Sequence, residues 1–150
     1  MNISRNTALT MLAELNKCKT LVADFKFSYA VAKNINALTS IQKEVEKHRF
    51  PEGTPRSKEY FEKLEELKRE IAEKKLSQAE SNKEYEDAAN KLENESYPDV
   101  RDAYKKHYEG FQEYMKEEVE FTQYVYSGQP PQTISPEQVM ALEFMLTGIE

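Results

Sequence analysis

The sequence predicts a mainly α protein, built as an elongated antiparallel helical hairpin or bundle with a small two-stranded β element. Three observations predict it. Only four glycines and six prolines interrupt 150 residues, so long helices are allowed. Charged residues make up 32% of the chain and hydrophobic ones 39%, with a mean hydropathy of -0.82, too little apolar material for a thick globular centre. Apolar residues also recur at steps of three and four in narrow stripes over most of the length. The length fits a single domain, and an aromatic share of 11% sets the chain apart from a disordered one of similar charge.

The first helix is expected over about 4–15, with Ser4 as N-cap and Leu9, Leu12 and Leu15 on one face. "CKTLVADFKF" follows, where Val22, Phe25 and Phe27 suit a strand over about 20–27. The stretch "DFKFSYAVAKN" carries two periods. Phe25, Phe27, Tyr29 and Val31 alternate as in a strand, whereas Phe25, Tyr29, Ala32 and Ile35 form a helical stripe. It therefore reads as a junction, with Ser28 capping a helix over about 29–49 whose stripe is Tyr29, Ala32, Ile35, Leu38 and Val45.

"RFPEGTPR" holds Pro51, Gly53 and Pro55, a turn that folds the next helix back on the previous one. That helix is expected over about 58–93, capped by Ser57, with Tyr60, Leu64, Leu67 and Ile71 as its seam. Its charges suggest i,i+4 pairs from Glu59 to Lys63, Glu65 to Arg69 and Glu70 to Lys74. The seam nearly vanishes over 74–84, where the chain either continues into solvent as helix or bends. Pro98 opens another helix over about 98–117, whose stripe of Tyr104, Tyr108, Phe111 and Met115 marks it as the central packing helix. "EEVEFTQYVYS" returns to period two and predicts a strand over about 119–126, paired with 20–27. Ser135-Pro136-Glu137-Gln138 is a capping box for a last helix over about 136–147, ending at Gly148.

Composition also excludes. A net charge of -6 and a pI near 5.2 remove the electrostatic footprint of a nucleic-acid binder. The local basic clusters, Lys74-Lys75 and Lys105-Lys106-His107, sit among carboxylates. Lysines interspersed with the glutamates equally spoil any imitation of DNA by acidic side chains. The lone Cys18 suits a reducing compartment, and no apolar run reaches the ~18 residues of a membrane span. The N-terminal run broken by Glu14 does not read as a signal peptide, so the expected setting is cytoplasmic, without a membrane partner.

No pattern announces catalysis. His48 and His107 lie in no metal-ligand spacing, and Cys18 has no helix N-terminus or arginine placed to activate it. The adjacent pairs Glu65-Glu66 and Glu117-Glu118 diverge by about 100° on a helix, a poor arrangement for shared acid–base work. The isolated glycines make no phosphate loop. The expectation is a non-enzyme with no cofactor and no metal. The residues left for partner or ligand binding are Tyr29, Lys33 and Asn34 in one group and Tyr104, Tyr108 and Phe111 in another. Asn34 follows a small apolar run, where it serves either as a structural polar contact or as a recognition site. The Tyr104 stripe is likewise either core or the lining of a groove.

An N-terminal helix followed by "KFSYAVAKNI", then a charged helical middle, "EEVEF" and a terminal "ISPEQVMALEFML" resembles a group of short, mostly uncharacterised proteins of tailed bacteriophages. The resemblance covers Phe27–Ile35 and Ile134–Leu146, while the Lys58–Leu92 region departs from it. It implies a viral protein in the bacterial cytoplasm that binds and inhibits a host protein, for example one of defence. Two alternatives stand beside that reading. One is sequestration of a signalling nucleotide by an aromatic, lysine-bearing pocket near Tyr29, Lys33 and Asn34, and the other is a homo-oligomeric assembly role through coiled-coil-like seams.

Overall fold

The computed structural model describes residues 1–21 and 23–147, so Val22 of the expected first strand and the expected helix end at Gly148 lie outside the described residues. The chain is mainly α, with one two-stranded antiparallel sheet. Where length suggested one domain, the backbone clusters into two compact units: Met1–Arg49 with Phe111–Glu150, and Phe50–Gly110.

In the first unit, β1 (Asn2–Ser4) leads directly into α1 (Arg5–Cys18), because the Ser4 side chain accepts the Thr7 N–H and caps the helix. Residues 8, 12, 15 and 18 of α1, at steps of four, three and three, form its buried face. They pack on α2 (Phe25–His48) and on α6 (Pro136–Leu142), which the expected Ser135–Gln138 capping box opens. Leu15, Leu38 and Leu142 are fully buried and stabilise the unit by about 1.5–3 kcal/mol each.

Three expectations change here. Among the described residues of 20–27 there is no strand: Asp24, not Ser28, is the N-cap, and α2 begins at Phe25. The helix also turns a different face inward. Its buried face runs Phe27, Val31, Asn34, Leu38 and Val45, leaving Tyr29 and Ala32 exposed. The strand near the C-terminal third is β2 (Glu118–Glu120), shorter than expected, and its partner is β1, with Ile3 opposite Val119. From Phe25 onward the expected strand is helix, so those residues cannot pair with it. Beyond β2 the chain runs without helix or strand until Tyr126 makes an isolated bridge with Leu146, and α6 gives way to a 3-10 turn over Glu143–Met145.

The second unit contains α3 (Pro55–Glu73), α4 (Gln78–Ser96) and the start of α5 (Pro98–Lys116). Thr54 rather than Ser57 caps α3; Ser57 is the N3 partner that completes the box, with Pro55 at N1. The expected helix over 58–93 is two helices, because the chain turns between Lys74 and Ser77 through Lys75 at a positive φ of 51°. They form an antiparallel hairpin: Arg56 bonds Ser96 and Asp99 at its base, Lys68 lies over Tyr85, and Lys74 pairs with Glu84 near the turn.

Instead of the expected i,i+4 pairs, Lys63 meets Glu66 and Lys68 meets Glu65, both at i,i+3 spacing, and Lys74 reaches across to α4. Residues three and four apart are both neighbours on a helix, so a flexible lysine has a choice of partner. α4 contributes no buried residue. Nor is α5 the packing centre that its aromatic stripe suggested. Val100 and Met115 are buried, but Tyr104 and Phe111 are half-buried and Tyr108 is 62% exposed.

Candidate functional site

Of the two groups of candidates, the structure brings the first together. Asn34 lies at the centre of the buried face of α2 and is wholly inaccessible. Its Oδ1 accepts the Tyr124 N–H at 2.8 Å, while Nδ2 donates to the Tyr124 carbonyl at 2.8 Å and to Ala30 O at 3.0 Å. The amide thus imitates a neighbouring strand for one residue of an otherwise irregular segment. Both of its ends are occupied, so it supports the surface above it from below.

That surface is aromatic. Tyr29 stacks on Phe25 at 5.9 Å between centroids, and its other neighbour, Tyr124, meets it edge-on at 5.5 Å. The Lys33 ammonium lies 5.3 Å from the Tyr29 ring centre. Phe25 is 80% exposed, Tyr29 40% and Tyr124 44%. Large rings clustered in this way on a folded surface are unusual, since burial would gain each of them transfer free energy.

The base of the row is fastened at a second point. Asp24 accepts the Phe27 N–H through Oδ1 at 2.9 Å and the Tyr126 hydroxyl through Oδ2 at 2.8 Å. These two donors, the backbone first, hold the Asp24 carboxyl below the usual carboxylate range, and the same bond raises the Tyr126 hydroxyl. Tyr126 packs edge-on against Phe27, and its backbone bonds Met145 O and the Thr147 N–H. Gly128 is required beside it, because a Cβ there would overlap the Tyr126 ring.

The second group is divided. Tyr104 packs against Phe61 in one unit, and Phe111 stacks on Tyr114 in the other, where Tyr114 also stacks on His48. Cys18 is buried, and burial pushes its thiol up, away from nucleophilic character. Among the described residues, no group of three His, Cys, Asp or Glu side chains is placed to hold a metal, and no helix is long and apolar enough to cross a membrane.

Sequence reasoning named Tyr29, Lys33 and Asn34 but missed Phe25, assigned to a strand, and Tyr124, assigned to a sheet. A helical wheel begun at Asp24 would have found Phe25, placing Phe25, Tyr29 and Lys33 at steps of four, away from Phe27 and Asn34. Tyr124 had no such signal. No protein-family model matches this chain, and no curated protein or solved structure does either.

Proposed function

We propose that this chain is a non-enzymatic binding protein that docks a folded partner protein on the row formed by Phe25, Tyr29 and Tyr124. The observation that carries the reading is the row itself, three rings exposed on a fixed base. Aromatic side chains are the common anchors of protein interfaces, because they present a large area while losing few rotamers. Here the Asn34 and Asp24 bonds set the backbone beneath them in advance, which lowers the ordering cost of binding. The resemblance of Phe27–Ile35 and Ile134–Leu146 to tailed-phage proteins supports reading the partner as a bacterial host protein and the outcome of binding as its inhibition. A nucleotide-sequestering role draws less support, since the Asn34 amide that would read a base is already occupied.

Site-specific photo-crosslinking tests this in bacterial cells. A photoreactive phenylalanine at position 25 or 124 is expected to give a discrete heavier adduct, whereas the same group at the exposed position 90 gives none. Equal labelling from all three positions, or none from 25 and 124, overturns the reading.

A further inference from the structure

The charge around the row is opposite to that of the molecule. The chain carries a net charge of -6, yet between Leu15 and Lys43 the single acidic residue is Asp24, against Lys19, Lys26, Lys33 and Lys43, while Lys17 pairs with Glu14. The Asp24 carboxylate is already engaged by the Phe27 N–H and the Tyr126 hydroxyl. The segment that supplies Tyr124, from Phe121 to Pro136, has no charged residue at all. These positive charges are spaced along the sequence rather than adjacent, so a search for basic clusters passes over them.

Position on the helix collects them. Lys26 and Lys33 are seven residues apart, two turns of α2, so both lie on the face that carries Tyr29 between them. Both are exposed, and among the described residues neither has a carboxylate within ion-pair distance. Several lysines elsewhere are paired, Lys63 with Glu66, Lys68 with Glu65, Lys74 with Glu84 and Lys116 with Glu113.

From this we infer that the Phe25–Tyr29–Tyr124 surface is built for an acidic segment of its partner, one that sets apolar side chains on the rings and carboxylates beside Lys26 and Lys33. The inference rests on the reading of the row as a docking surface and adds the chemistry of what docks there. Unpaired lysines flanking exposed rings satisfy both halves of such a segment. The net charge of -6 disfavours an acidic segment over the molecule as a whole, so charge would set its register as well as its affinity. A second copy of this chain fits less well, because its negative net charge adds repulsion.

The test uses the full chain labelled with ¹⁵N and four probes: a short peptide of glutamates around a Phe-Leu pair, its glutamine and lysine counterparts, and a nucleoside triphosphate. The glutamate peptide is expected to shift the amides of Lys26, Tyr29, Lys33 and Tyr124. Its affinity should fall about tenfold or more in Lys26→Glu/Lys33→Glu and on raising salt from about 50 to about 300 mM. The milder Lys26→Gln/Lys33→Gln should give a smaller fall with an unchanged melting temperature. Equal binding of the glutamine peptide, or no effect of charge reversal, overturns the acidic partner while leaving the docking surface in place. Shifts from the nucleotide alone, or concentration-dependent shifts without any probe, overturn it in favour of a small ligand or a second copy. If no probe shifts these amides the acidic partner also falls, and crosslinking at positions 25 and 124 then decides separately whether the docking surface falls with it.

Discussion

Asn34 holds Tyr124 in both directions: its carbonyl takes the Tyr124 N–H and its amino group gives a proton to the Tyr124 carbonyl, each at 2.8 Å, across 90 residues of sequence. The segment around Tyr124 has no helix or strand of its own, so this one side chain supplies the pairing that a sheet would have given. Asn34→Ala removes both bonds and leaves a void at the centre of α2. A stability loss of about 2–4 kcal/mol is expected, read as a shift of the urea midpoint. Asn34→Asp keeps the shape but turns a donor into an acceptor facing the Tyr124 carbonyl, and it should be no milder than the alanine change. An Asp variant of wild-type stability would show that the donated bond contributes nothing.

Asp24 makes the second fastening pH-dependent. Its folded-state value is depressed, first by the Phe27 N–H and then by the Tyr126 hydroxyl. A depressed carboxylate contributes stability that is fully present above its unfolded value near 4 and is lost as the pH falls through the folded value. Asp24→Asn retains the helix cap, since Asn caps as well as Asp, but loses the charge and the acceptor for Tyr126. The stability gap between the two proteins should therefore be constant above about pH 5 and narrow steadily towards about pH 2.5. Tyr126→Phe should show a smaller narrowing. A gap that stays constant down to the lowest pH would mean that Asp24 does not titrate with folding.

What could be read in the sequence was local. Ser4, the Ser135–Gln138 box, Pro98 and the Pro-rich turn after Arg49 act within four residues of themselves, and the structure places a helix boundary or turn at each. The phase of α2 was not local. Two aromatic periods overlap in "DFKFSYAVAKN", and the choice between them is made by Tyr126 bonding Asp24 and by Tyr124 bonding Asn34, both about a hundred residues away. Asn34 was conspicuous in its apolar run for the reason that the structure gives, a buried polar contact, whereas nothing local marked its partner. The partner of β2 was illegible for a related reason: three residues at the N-terminus carry too short a pattern to announce a strand.

The Arg5 side chain joins the start of α1 to the end of α5 in three ways. Its guanidinium lies 3.8 Å from the centre of the Tyr114 ring, donates to Tyr114 O at 3.0 Å and meets Glu117 Oε2 at 2.9 Å. The Arg5 side chain is 15% exposed and that of Glu117 64%, so solvent screens the ion pair more than the other two contacts. Glu117→Gln is expected to cost no more than about 0.5 kcal/mol, and Arg5→Ala about 1–2 kcal/mol. Arg5→Lys keeps the charge without the planar fork and should resemble the alanine variant more than the wild type. Chemical denaturation of the three variants separates the contributions, and a Glu117→Gln loss equal to that of Arg5→Ala would assign the contact to charge instead.

Lys75 carries the turn of the hairpin in a conformation that favours glycine. With φ at 51° it occupies the left-handed region immediately after the C-cap of α3, where a Cβ crowds the following carbonyl at a cost of about 1–2 kcal/mol. Its backbone N–H bonds Ala72 O, closing the last turn, while its side chain forms no ion pair among the described residues. Lys75→Gly relieves the crowding and loses part of the gain to the greater freedom of glycine in the unfolded chain, for a net stabilisation of about 0.5–1 kcal/mol. Lys75→Ala, which removes the side chain but keeps the Cβ, should give no such gain. Comparing the two by thermal unfolding isolates the backbone contribution: equal melting temperatures would mean that the turn is unstrained, whereas a glycine-specific rise would confirm that the hairpin bends here against the preference of its own residue.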